Sequence, residues 1–379
     1  MKKQHLHAIC SVTALFTVAA IGLGLAVYRA KSAMPLLDDA ALLAGKLSFV
    51  NGSADVPDAP DQPAPTVRPR PHAETPTQAE EAARPKNTVH TGEPHPVVEI
   101  SGGDGNLSFE NIEICNGTDY TLDVGSILNS DLPFEIEDNR AVQVLVYHTH
   151  TCESYLDEDD GVYYDDFYPR STDPEQGVMA VGERLVETLR ANGIGAVHDT
   201  TLHDYPSYEG SYARSWETVC KYGEKYPRLK ITIDLHRDSM TSSDGTKYKP
   251  VFEHDGQKAA QIMIMTGRDT DGDFDFWDEN LIFALQLQKK CEDLYPGMTR
   301  PLDFDDYTYN MNYNNGSLLI EVGTDANTVE ETKRTGEYLA NALSSLLLKE
   351  STSVNIFNLL SPVLQKGRGL VIICHGLAV

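Results

Sequence analysis

Within VLVYHTHTCESY (residues 144–155), three groups able to bind a metal fall inside six residues: His148, His150 and Glu153. The apolar, partly β-branched run Val144–Val146 that precedes them predicts a buried strand ending where polar residues begin. In open α/β sheets, ligands gather at the carboxyl ends of strands. His150-x-x-Glu153 offers one imidazole and one carboxylate. A catalytic zinc keeps three protein ligands and a fourth position for water, so one more histidine would complete the set. His236, at the end of a second apolar run, Leu229–Leu235, is the candidate. A third run, Ser317–Ile320, ends in Glu321, a carboxylate able to act on a water at such a metal. His148 lies two residues before His150, on the same side of an extended segment, and stays open as the alternative ligand or as a supporting residue. Arg237 and Asp238 flank His236. They suit ligand orientation, bidentate capture of a substrate carboxylate, or a structural ion pair. Cys152 is a poor nucleophile candidate, because the adjacent Glu153 disfavours a thiolate.

The elements that must position these residues follow from the pattern after Gln143. Helical spacing of Val181, Leu185, Val186 and Leu189 predicts a helix over Val178–Arg190, with a stop signal at Gly193. A short strand, Ile194–Val197, comes next, then a helix over Tyr212–Tyr226 stopped by Pro227, then the strand Leu229–Leu235. Ala259–Met265 reads as a strand, Trp277–Leu294 as a helix, Ser317–Ile320 as the last strand, and Thr328–Leu348 as a long helix. Upstream, Ser108–Ile114 alternates in strand fashion, and Tyr120–Val124 and Phe134–Ile136 are short strand candidates. This alternation predicts an α/β fold with a mixed, mainly parallel sheet flanked by helices on both faces. Two loops rich in Tyr and Asp, Tyr155–Tyr168 and Asp303–Tyr313, are either solvated or line a groove for an extended polar substrate.

Composition narrows the partners. A chain of 379 residues with formal net charge −26 has nothing to neutralise phosphates, which argues against nucleic acid. An uncharged run from Ala8 to Tyr28, preceded by Lys2 and Lys3, is long enough to cross a bilayer. It reads as an uncleaved anchor, with a cleaved signal peptide as the alternative. The stretch from about Ser53 to Pro96 is rich in Pro, Ala, Glu, Thr and Asp, and is expected to be an extended, disordered spacer. The domain reading is an anchor or signal segment at 1–33, a spacer at 34–96, and a strand-rich lead-in at 97–142. A catalytic domain at 143–350 and a tail of unassigned role at 351–379 complete it. Six cysteines without tight spacing do not form a disulfide framework. The acidic run Asp269–Asp275 lacks the glycine and glutamate of a calcium loop.

Five ordered segments then carry a resemblance: HTHTCESY, VGERLVETL, HDTTLHDYPSYEGSYARS, IDLHRDS and SLLIEVGT. In order and spacing they resemble the stage II sporulation protein P family, from about Asn116 to Leu348. The upstream NGTDYTLDVGSILNSDLPFEI resembles the family's segment before its catalytic domain. The resemblance implies a membrane-anchored, zinc-dependent N-acetylmuramoyl-L-alanine amidase acting on peptidoglycan during spore engulfment. It implies His150 and His236 as zinc ligands and Glu321 as the catalytic carboxylate; to these the residues themselves add Glu153 as the carboxylate ligand and Arg237 as a second catalytic residue. It further implies partnership with stage II sporulation protein D and other engulfment proteins, and an associated endopeptidase activity. The implied location is the cell membrane, with the catalytic domain outside the cytoplasm on the mother-cell side. A zinc carboxypeptidase or other wall peptidase would use the same residue types. A wall-binding scaffold without activity is the non-enzymatic alternative.

Overall fold

The computed structural model describes residues 90–348, apart from 138–139 and 270–271. The expected anchor at Ala8–Tyr28, nearly all of the spacer, and the tail lie outside the described residues. Among the described residues, no helix is long and apolar enough to cross a membrane.

Strand β4 (Val142–Tyr147) lies between β6 (Gly195–His198) and β7 (Ile231–Asp238), parallel to both. β7 is in turn parallel to β12 (Ser317–Thr324), in a register that sets Glu321 opposite His236. Beyond β12 come β10 (Ile262–Gly267), β11 (Leu302–Asp305), β3 (Ile112–Asn116) and β2 (Leu107–Phe109), completing eight strands. A second sheet of four strands has the order β5 (Val162–Tyr164), β1 (Pro94–Ile100), β8 (Lys247–His254), β9 (Gln257–Ala260).

The sheets are mixed and not mainly parallel, which corrects the sequence expectation. β10 runs antiparallel to β12, β2 to β3, β1 to β5 and β8 to β9. The physical reason lies between β7 and β10. Parallel neighbours need a crossover connection, usually a helix, but here the chain inserts the β8–β9 hairpin and re-enters the large sheet at the same end at which β7 left it. An apolar run reads alike in both directions, so its sequence carries no sign of this. The single strand expected at Ala259–Met265 is likewise two, divided at Gln261, whose amide donates to the Gly297 carbonyl. The alternation at Ser108–Ile114 is a hairpin that turns at Glu110, where φ is +51°. Tyr120–Val124 and Phe134–Ile136 are not strands. Asp123 accepts from the Ser126 backbone N–H and caps the short helix α1 (Val124–Leu128).

Helices cover both faces of the large sheet, as expected. α2 (Val178–Ala191), α4 (Trp277–Leu294) and α5 (Val329–Leu347) bury Leu185, Leu285 and Leu343 with Val144, Val146, Ile231 and Ile233. On the other face, α3 (Ser211–Lys225) sets Val219 against Leu145 and Tyr147, the alternate residues of β4. Each fully buried aliphatic side chain contributes roughly 1.5–3 kcal/mol, so the strands that carry the site are fixed from both sides. α5 starts with a capping box in which Thr328 and Glu331 satisfy each other's backbone N–H groups. β1 and β3 are built into the two sheets, so the lead-in segment is part of the same body as the rest.

Candidate active site

β4 ends at Tyr147, and the chain then turns across the carboxyl ends of β4 and β7. His148 still points inward, but the turn that starts at Thr149 breaks the strand alternation and carries Thr149 and His150 over the β7 end. His148 is fully buried. Its Nδ1 lies 2.7 Å from the Leu235 carbonyl and its Nε2 2.8 Å from His198 Nε2. Burial, reinforced by His198, pushes its pKa down to about 3, so it is neutral. The pair needs a glycine above it: a Cβ at Gly182 on α2 would lie 2.6 Å from His198 Nε2 and 2.9 Å from His148 Nε2.

His150 points to the other side. Its ring stacks on Tyr208 at 4.3 Å, with the tyrosine hydroxyl 2.9 Å from Nε2, and stands edge-on to His236 with centroids 5.2 Å apart. Burial lowers its pKa to about 4, leaving a neutral imidazole of the kind that ligates metals. Glu153 follows one turn later, and its Oε2 accepts from the Arg237 backbone N–H at 3.0 Å and sits 3.6 Å from His236 Nδ1. Burial alone would raise this carboxyl, but His236 and Arg237 outweigh it and hold it below the usual carboxylate range.

Asp234 and His236 are two residues apart on β7 and therefore share a face. Asp234 accepts from the Thr149 N–H at 2.8 Å and the Thr149 hydroxyl at 2.6 Å. Its Oδ1 lies 2.9 Å from His236 Nε2, yet that nitrogen has no aligned hydrogen-bond partner. Burial works against a charge on His236, but Asp234 and Glu153 raise its pKa well above the ordinary value. Glu321, opposite His236, is equally unusual. Its Oε2 is buried with no hydrogen-bond partner, and burial together with Asp238 raises its pKa. Asp238 itself is held by Arg300 at 2.8 Å.

The structure thus brings His150, Glu153, His236 and Glu321 together at adjoining strand ends. Two imidazoles and one carboxylate match the donor set of a catalytic zinc. His236 has Glu153 on its Nδ1 side and Asp234 on its Nε2 side, and the negative charge these two gather around the ring fits a dication. His148 is turned away into its pairing with His198. Arg237 donates through its guanidinium to the carbonyls of Ser154, Asp238 and Pro169, and so ties the loop after Glu153 to β7. Among the described residues, the acidic group whose ligand atoms all lie within 4.8 Å of one another is elsewhere: Glu99, Asp159 and Glu331. The zinc candidates are drawn together less tightly than that. The acidic trio, however, surrounds the ammonium of Lys249, at 2.7 Å from Asp159, 3.0 Å from Glu331 and 3.3 Å from Glu99. A cation already serves those carboxylates, and they are no metal site.

Asp234, Thr149 and Tyr208 are functional neighbours that the sequence reading did not single out. The signal for Asp234 was its place two residues before His236 on a strand. Tyr208, Ser211 and Tyr212, which surround His150, all lie inside the segment HDTTLHDYPSYEGSYARS.

Comparison with known proteins places the chain. The family model Stage II sporulation protein P matches residues 62–344, well over half of it. The Stage II sporulation protein P of Bacillus subtilis (strain 168) is 29% identical over 220 residues, covering 54% of this chain and 50% of that protein. In this match the chain spans half the length of that curated relative. Solved structures that match include the N-acetylmuramoyl-L-alanine amidase AmiC2 of Nostoc punctiforme, at 12% identity and a TM-score of 0.29, covering 54% of this chain and 94% of that one. The CwlD amidase from Clostridioides difficile, solved with the GerS lipoprotein, matches at 12% identity and a TM-score of 0.32, covering 54% and 98%. With the family model matching residues 62–344, a span that takes in strands of both sheets, the chain belongs to the Stage II sporulation protein P family.

Proposed function

We infer that this protein is a peptidoglycan hydrolase of sporulation that cleaves the amide between N-acetylmuramic acid and the L-Ala of the stem peptide. The observation that carries the reading is the convergence of His150, Glu153, His236 and Glu321 on one spot in a chain of this family. His150, Glu153 and His236 would hold a zinc ion. When bound, zinc supplies a Lewis acid that polarises the scissile carbonyl and makes water acidic enough to attack at neutral pH. Glu321 takes the proton from the attacking water and passes it to the departing amine nitrogen of L-Ala, so the C–N bond breaks and the carboxyl and amine products form in balance. The sheet register that holds Glu321 opposite His236 supports this role. Asp234 fixes the His236 ring, and His148 supports the same strand by its contact with the Leu235 carbonyl. Arg237 is a positioning residue in this reading, since its guanidinium is engaged with three backbone carbonyls.

The wider setting is part of the proposal. Residues 8–28 anchor the chain, and the spacer carries the catalytic domain from the mother-cell membrane into the septal wall. There, stage II sporulation protein D and other engulfment proteins are its partners, and an endopeptidase activity accompanies the amidase. The test is digestion of purified sacculi by the full chain, with and without chelator, read by mass. Free stem peptides beginning with L-Ala, beside intact glycan, support the reading. Trimmed stem termini indicate a carboxypeptidase, and no products at all indicate a binding scaffold. Full activity in excess chelator refutes zinc dependence.

A further inference from the structure

A row of tyrosines leads away from His150. Tyr212, on α3, stands edge-on to the imidazole at 5.6 Å; Tyr309 stacks on Tyr212 at 5.4 Å and 29°; Tyr307 lies 4.8 Å beyond Tyr309. All three are partly exposed. We propose that this row is the platform on which the glycan strand of the substrate lies, so that the stem peptide leaves the site in another direction. The inference rests on the amidase reading and assigns one side of the site to one part of the substrate.

The geometry of the loop shows that the row is built. Tyr309 and Asn310 both have left-handed backbone, at φ +40° and +59°. That region is unfavourable for residues with a side chain, above all a bulky one, and such strain persists only where surrounding contacts over-determine it. Here the Asn310 amide donates to the Tyr212 carbonyl at 3.1 Å and to the Ser215 hydroxyl at 3.0 Å. Ser215 lies 2.7 Å from the Thr149 hydroxyl, which donates to Asp234. One chain of hydrogen bonds therefore sets the tyrosine row in register with the imidazoles.

Chemistry decides which half of the substrate fits. A pyranose presents a face of weakly positive C–H groups, complementary to the negative face of an aromatic ring. The flanking side chains are acidic: Tyr307 donates to Asp303, and Asp306 is paired with Arg268, which also holds Asp119. A stem peptide with free carboxylates is repelled by this side. An N-acetylated amino sugar whose lactyl carboxyl is tied up as an amide is uncharged, and is not repelled.

The test is equilibrium binding of uncharged N-acetylglucosamine oligomers as the glycan probe, which carry no free lactyl carboxyl, and separately of sugar-free stem peptide, to the zinc-loaded full chain. Tyr309→Leu should weaken glycan binding about tenfold, the upper end of what an aromatic pair contributes, whereas Tyr309→Phe should bind as wild type does. Stem-peptide binding should be the same in all three. Tyr307→Leu tests the outer end of the row, should weaken glycan binding in the same sense, and serves if Tyr309→Leu does not fold. Glycan binding indifferent to both leucine variants overturns the proposal, as does a loss confined to stem peptide. Sacculus digestion by wild type separates the two readings. Cleavage with glycan binding indifferent to the tyrosines sinks the platform alone. Tyrosine-dependent glycan binding without cleavage sinks the amidase reading alone.

Discussion

Asp234→Asn isolates one buried charge at the centre of the site. The carboxylate receives two hydrogen bonds from Thr149 and approaches His236 Nε2 to 2.9 Å. Asparagine is almost the same shape. Its carbonyl oxygen can take the place of Oδ1, keeping the Thr149 N–H and facing His236. Its amide then replaces Oδ2 and donates to the Thr149 hydroxyl, which can turn to donate to the Ser215 hydroxyl 2.7 Å away, itself a donor to the Tyr212 carbonyl. The hydrogen bonds survive and only the negative charge goes. Outer partners of ligating histidines are worth 10–100-fold in metal affinity or activity, or roughly 1.4–2.8 kcal/mol. Zinc affinity of the variant, measured by competition with a chromogenic chelator, should fall by about that factor, while the urea midpoint stays near wild type. Hydrolysis at saturating zinc should recover in part, since Glu321 is untouched. An affinity within about twofold of wild type, in a variant of unchanged stability, would refute the role given to Asp234.

The other predictions follow from the same geometry. His150→Ala and His236→Ala each leave two of the three proposed ligands, so metal content and hydrolysis should fall together, while His148→Ala should retain metal; zinc per protein, measured beside activity, distinguishes them. Glu321→Gln should keep its zinc and lose roughly 10²–10⁴ in turnover, the span of general acid–base catalysis; loss of metal there, with retention in Glu153→Gln, would mean the two carboxylates had exchanged roles. Lys249→Met should cost ~2–4 kcal/mol by denaturant titration, because it strands buried Glu331 beside two half-exposed acids. Lys258→Met, which removes only an exposed partner of Glu99, should cost well under about 1 kcal/mol.

Much of the site was legible because each part sits next to a strand that announces itself. Val144–Val146, Leu229–Leu235 and Ser317–Ile320 are short apolar runs, and the polar residues at their carboxyl ends are the ones the sheet gathers. Trp277–Leu294 has the boundaries its spacing predicts, since a helix of that length repeats its apolar face several times. What could not be read has physical causes as well. Asp234 sits within an apolar strand, and only the pairing of β4 with β7 reveals that Thr149 receives it. The direction of β10 depends on the β8–β9 hairpin, a connection whose effect is topological and leaves no mark on β10 itself. Asp123 turned an expected strand into a helix through one side-chain cap. Of the two Tyr- and Asp-rich loops, the second proved to lie against α3 and the first to fold inward, with the Tyr155 hydroxyl on the Val322 carbonyl and that of Tyr163 on Asp325.

The four residues brought together here come from three segments far apart in the chain. The Arg237 N–H reaches Glu153 across 84 residues, and the Tyr155 hydroxyl reaches Val322 across 167. Contacts between distant segments carry a large loop-closure entropy and form late and slowly. The strands that lead to His150 and Glu153, to His236 and to Glu321 are adjacent only once the central sheet is complete. A partly made or partly unfolded chain therefore has histidines and acids but no assembled site. Under the proposed wall-degrading activity, completion of the fold is itself the safety catch: the site is assembled only when β12, the last strand among the described residues, has docked beside β7.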